Sequence, residues 1–106
     1  MPPEAAIEDR FLKFKAANLE SDFADGSVHA GIELAGLYLF SPVFTGQYKQ
    51  RAACILTCLL SHDREACRLM AYCYLYGIGV HRDVESSKEL LRLGPAFFIM
   101  RNKHVC

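Results

Sequence analysis

Ala66-Cys-Arg-Leu-Met70-Ala71-Tyr-Cys-Tyr74 and Ala30-Gly-Ile-Glu-Leu34-Ala35-Gly-Leu-Tyr38 are two copies of one pattern. Each has alanine, three residues, leucine or methionine, alanine, two residues, tyrosine. Ala30 and Ala66 stand 36 residues apart. Self-similarity at such a period marks a stack of helix pairs, because one pair cannot bury its apolar face alone. The alanines let a neighbouring helix approach closely, while Met70, Tyr74, Leu34 and Tyr38 fill the space that remains.

Beyond Tyr74 the second copy continues Gly77-x-Gly79-Val80-x-x-Asp83. Gly77 falls where a helix ends and tolerates the left-handed backbone needed there. Gly79 gives a second sharp turn, and Val80 can tuck back onto the core. Asp83 can accept hydrogen bonds from the free amides that open the next helix. A phosphate loop is the competing reading of Gly77-x-Gly79. It needs a preceding strand and a third glycine, whereas here a helix precedes and Arg82 stands in that place.

The run from Ala66 to about Leu93 closely resembles the Sel-one-like repeat, a relative of the tetratricopeptide repeat. The first copy, Ala30 to about Leu60, is similar in its first helix only and carries Ser41–Gly46 in place of the glycine turn. The resemblance implies an all-α, right-handed helical array that binds other proteins. Some cysteine-rich cousins have been linked to β-lactam or haem binding, which gives a small-ligand or hydrolytic alternative. Those cousins also bridge one unit's second helix to the next unit's first. Cys67 follows the motif alanine as they do, but Cys58 stands about one residue out of register. We expect all five thiols, Cys54, Cys58, Cys67, Cys73 and Cys106, to be free.

Helix signals divide a single domain, 1–106, into four parts. Residues 4–19 form a capping helix, with Ile7, Phe11 and Phe14 marking one face and Leu12 and the alanines widening it. Asp22–Ser27 is turn chemistry, and Ser27 or Asp25 can cap the next helix. A degenerate repeat covers 28–60, with helices over 28–40 and 48–60; Ser41-Pro42 stops the first. Ala52, Ile55, Leu56, Leu59 and Leu60 are expected to face inward. The better repeat covers 64–93, with helices over 64–76 and 84–93. Gly94-Pro95 then opens a closing segment and tail, 94–106, with a short turn over 96–100. No strand is expected.

Composition narrows the function. Hydrophobic residues make up 52% of the chain, which suits a folded domain. Twelve basic side chains balance 12 acidic ones, so no net charge draws the molecule to nucleic acid or an anionic membrane. No run of about 18 apolar residues is present to span a bilayer. The start, Met-Pro-Pro-Glu, lacks a basic, apolar leader, so a cytoplasmic protein is expected.

Arg68, Tyr72 and Tyr76 share one face of the 64–76 helix. Tyrosine and arginine are frequent binding hot spots. Ile32, Gly36 and Phe40 match them in the first copy, so Ile32 and Phe40 join the candidate partner-binding face. Cys54, Cys58 and His62 stand four apart and could line up for a metal, but no fourth ligand is in view and core packing is favoured for the cysteines. His29, His62, His81 and His104 are scattered, with no paired nucleophile at helpful spacing. The expectation is a non-enzymatic adaptor or inhibitor, of immunity type, without metal or cofactor. Its partner is a protein of unknown identity. An open array end also allows a homodimer or a self-assembling subunit.

Overall fold

The computed structural model describes residues 3–97, with side chains from Ile7 onward. These residues form five helices and no strand: α1 (Pro3–Ala24), α2 (Val28–Phe40), α3 (Gln47–Leu59), α4 (Arg64–Tyr76) and α5 (Val84–Leu93). Each helix packs against the next in the chain, and α2 also touches α4. The result is an all-α protein with principal extents of 50 × 29 × 21 Å.

Local chemistry sets the helix ends. Ser27 Oγ accepts from Ala30 N–H (3.1 Å) and starts α2. Asp63 accepts from Glu65 N–H (2.7 Å) and starts α4. Asp83 Oδ1 accepts from Ser86 N–H (3.0 Å), while Ser86 Oγ donates to its other oxygen (2.6 Å), so α5 has a double cap. Gly77 ends α4 in the left-handed conformation, φ 67°, with its N–H bonded to the Cys73 carbonyl. Gly94 closes α5 onto Leu90.

Leu34, Ile55, Leu56, Met70, Cys73, Leu90 and Phe44 form the fully buried centre, with Ala35, Ala52 and Ala66 between them. Small residues at these crossings bring helix backbones together, and the long side chains fill the gaps to interior density. The inward set on α3 is Ala52, Ala53, Ile55, Leu56 and Leu59, with Leu60 just beyond the helix. Ser87 is buried without penalty because its Oγ donates to the Ala71 carbonyl (2.8 Å).

Helix α1 departs from expectation twice. It runs to Ala24 instead of stopping near Leu19. Asp22-Phe23-Ala24 stays helical, and the chain turns only around Gly26, φ 104°. Phe23 anchors this last turn against Gly31 of α2, where a Cβ would lie 2.6 Å from its ring and 2.8 Å from Leu59. The inner face is also not the one that Ile7, Phe11 and Phe14 mark. Those three side chains are 67%, 63% and 67% exposed. The helix packs instead through Leu12, Ala16, Leu19 and Phe23, a second stripe at steps of four, three and four.

Within the closing segment Phe97 is buried and its N–H bonds the Gly94 carbonyl (3.0 Å). The rest of the expected 96–100 turn, the 101–106 tail, His104 and Cys106 lie outside the described residues.

Candidate functional site

Helices α2 and α4 place Phe40 beside Tyr72, with ring centroids 5.2 Å apart and planes tilted by 54°. Tyr72 in turn meets Tyr76 at 5.0 Å and 59°. Tyr72 and Tyr76 are one helical turn apart, so their rings stack along α4. Phe40, the last residue of α2, reaches them because α2 and α4 lie side by side. The aromatic ladder therefore crosses from the first helix pair to the second. Its ends are open: Phe40 is 56% exposed and Tyr76 63%.

Next to the ladder runs an open groove of about 260 Å³, lined by Arg68, Ala71, Tyr72, Leu75, Leu91 and Ser87. Leu91 is 64% exposed at its rim. Arg68 lines the groove and, among the described residues, pairs only with Glu65 on its own helix (3.2 Å) at an exposed position. Such a pair is weak in water, so the guanidinium can exchange its partner at little cost. Ile32 differs from the other expected face residues. It is half-buried against the core, about two turns of α2 before Phe40.

The motif residues hold this face from behind. Ala30, Leu34, Ala35 and Tyr38 are buried in α2, and Ala66, Met70 and Ala71 in α4. Tyr74 and Val80 are half-buried against the same core. Tyr38 is also a polar anchor. Its hydroxyl donates to Glu20 of α1 (2.8 Å), and Arg51 of α3 donates to both oxygens of that carboxylate (2.7 and 3.2 Å). The Arg51 hydrogen bond holds the Glu20 carboxyl below the usual range, against a smaller opposing effect of burial. Burial, then the bond to Glu20, pushes the Tyr38 phenol upward.

The cysteines divide by burial. Cys54 and Cys58 are exposed, not packed in the core. Ala52, Ile55, Leu56 and Leu59 take the inner side of α3, which turns positions 54 and 58 outward to an open groove of about 530 Å³. Because α3 ends at Leu59, the alternative Cys54–Cys58–His62 stripe breaks before His62, which sits exposed in the following turn. Among the described residues no group of three His, Cys, Asp or Glu is placed to hold a metal. Cys58 and Cys67 are both free; the Cys67 thiol donates to the Leu60 carbonyl (3.3 Å). Burial pushes the Cys67 thiol up and carries Cys73 to about 11. Neither suits a nucleophile, which needs its thiolate.

The glycine turn works as a packing device. Gly79 has φ 73°, and a Cβ there would run into the Lys49 carbonyl of α3. A polar cleft of about 380 Å³ runs past Gly46, Lys49, Gln50, Gly77, Gly79 and His81. Gly77 lies at the C-terminal end of α4, whose carbonyls repel an anion, so the glycine turn itself does not cradle a phosphate.

The groove residues Leu75, Ser87 and Leu91 were not expected from sequence, although Leu91 leaves a trace there. Leu90, Leu91 and Leu93 cannot all face one side of a helix, and Leu91 is the one turned out. Among the described residues no helix is long and apolar enough to cross a membrane. No family model matches the chain, and comparison with curated proteins and with solved structures gives no match.

Proposed function

We propose that this chain is a non-catalytic protein-binding module of the Sel-one-like, tetratricopeptide-related kind. It acts as a small adaptor or inhibitor of immunity type that engages a larger protein through one helical face. The repeat reading rests on the shared alanine–leucine–alanine–tyrosine pattern of α2 and α4: both bury the alanines and the leucine or methionine, while Tyr38 is buried and Tyr74 half-buried. The face is the Phe40–Tyr72–Tyr76 ladder with the groove that Arg68 lines.

One observation carries the proposal: exposed aromatic rings from two helix pairs form a single contiguous surface. Isolated exposed apolar residues are ordinary on a protein surface, but a joined patch with a charged rim marks an interaction site. The rings bring large apolar area with little rotamer entropy to lose. Arg68, not firmly held, can pair with a carboxylate of the partner.

The test is affinity capture from the source cells with the tagged chain and with an Arg68→Ala/Tyr72→Ala variant. Circular dichroism should show both folded. A partner retained by the wild type should be lost or weakened at least about tenfold by the variant, as expected of hot-spot residues. Equal capture by both proteins would show that the face is wrong.

A further inference from the structure

The outer side of α1 carries an apolar stripe that the fold leaves open. Ile7, Phe11 and Phe14 recur at steps of four and three on the side opposite Leu12, Ala16 and Leu19. Helix α1 packs its backbone against α2 and meets α3 through Glu20 and Phe23 at Arg51, all on its inner side, so its far side ends the layer. A helix that merely capped a layer would show a polar outer face. We propose that this stripe pairs antiparallel with the same stripe of a second copy, making a homodimer separate from the aromatic face.

The sequence of α1 supports self-pairing in one register. Steps of four and three match the seam of a two-stranded coil. With two copies antiparallel and Phe11 beside Phe11 at the centre, Ile7 and Phe14 of one copy alternate with those of the other. Glu8 and Lys15 lie two turns apart on one flank of the stripe. In an antiparallel pair equal flanks meet, so Glu8 faces Lys15 of the second copy and the contact recurs by symmetry. A parallel pair loses this, because that flank then meets the one bearing Arg10 and Ala17. Lys15 already lies 3.4 Å from Glu33, but across an exposed surface where it can be shared.

Charge also argues against a bilayer as the occupant. On α1, Glu4, Glu8, Asp9, Glu20 and Asp22 outnumber Arg10, Lys13 and Lys15, the reverse of what anionic lipid attracts. The formal net charge of the chain is zero, so two copies meet without long-range repulsion. One helix pair covers less than an ordinary stable interface of about 1,200–2,000 Å², which places the dimer in roughly the micromolar range.

Sedimentation equilibrium of the full chain up to roughly half-millimolar concentration tests the proposal at the affinity so expected. The mass should rise from 11.9 kDa toward twice that value. Phe11→Asp, at an exposed position, should stay monomeric with an unchanged helical spectrum. Glu8→Lys and Lys15→Glu should each weaken the dimer roughly threefold or more, since each removes two symmetry-related pairs. The double exchange Glu8→Lys/Lys15→Glu should restore it. A wild type monomeric throughout, or a dimer indifferent to Phe11→Asp, would overturn the proposal. A double exchange weaker than either single change would overturn the antiparallel register.

Discussion

The two helix pairs start alike and close differently. In α2–α3 the turn is sealed by side chains. Phe44 of the Ser41–Gly46 loop is 2% exposed, and its ring meets Tyr38 at 5.0 Å and Tyr48 at 5.1 Å. Lys49 Nζ donates to the Tyr38 and Leu39 carbonyls (2.7 and 2.9 Å), satisfying the end of α2. In α4–α5 the backbone itself does this work. Gly77 turns left-handed, Ile78 N–H bonds the Cys73 carbonyl (2.9 Å) and Asp83 N–H bonds the Tyr74 carbonyl (2.8 Å). Arg82 Nε adds a bond to the Leu75 carbonyl (3.0 Å). Both turns meet one requirement, since the last carbonyls of a helix need donors and the core needs a lid. The first turn depends on a large ring and the second on the absence of a Cβ.

That difference is open to a paired stability measurement by urea denaturation. Phe44→Ala should be the largest single loss, about 3–5 kcal/mol, because it empties a buried aromatic site. Gly79→Ala should come next at about 2–3 kcal/mol, from left-handed strain together with a collision at the Lys49 carbonyl. Gly46→Ala should cost less than Gly79→Ala: its φ is 56°, but a Cβ there meets nothing within 4 Å. Equal losses at the two glycines would mean that backbone strain alone matters and that the second turn is not seated on α3.

A smaller effect concerns what ties α1 to the first pair. Glu20 has a lowered pKa in the folded state, chiefly from Arg51, so the unfolded chain binds the proton more readily. Its contribution is therefore present above the ordinary value of 4.5 and is lost as pH falls through the folded value. The Arg51–Glu20 pair is partly exposed, with side chains 46% and 31% accessible, so about 1 kcal/mol or less is at stake. Thermal melts should show Glu20→Gln less stable than wild type at pH 7 and no longer so near pH 3. A constant gap across that range would mean that the ion pair adds nothing to stability.

Much of this architecture was legible in the chain because its signals are local. Ser27, Asp63 and Asp83 mark helix starts, and Pro42, Gly77 and Gly94 mark stops. Those marks placed α2, α4 and α5 at their observed limits. The failures came where two solutions share one period. Helix α1 has apolar stripes on both sides, and the one that packs is matched by tertiary partners its own sequence does not show, among them Gly31, which makes room for Phe23. Cys54 and Cys58 read as core because cysteine is often buried, yet the aliphatic residues of α3 had already filled the inner side. For the site, the proximity of Tyr72 and Tyr76 came from helical spacing. The contact of Phe40 with Tyr72 required knowing that α2 lies beside α4. The groove could not be read from the sequence because it needs α5 placed against α4.

The central claim is that the aromatic face shared by both helix pairs is where a partner binds. Site-specific photo-crosslinking in the source cells tests it most directly. A benzophenone side chain in place of Tyr76 should give one discrete protein adduct. The same group in place of Gln50, exposed on α3 and lining two other grooves, should give none. An adduct at position 50 without one at 76, or no adduct at 76 in folded protein, would contradict the claim.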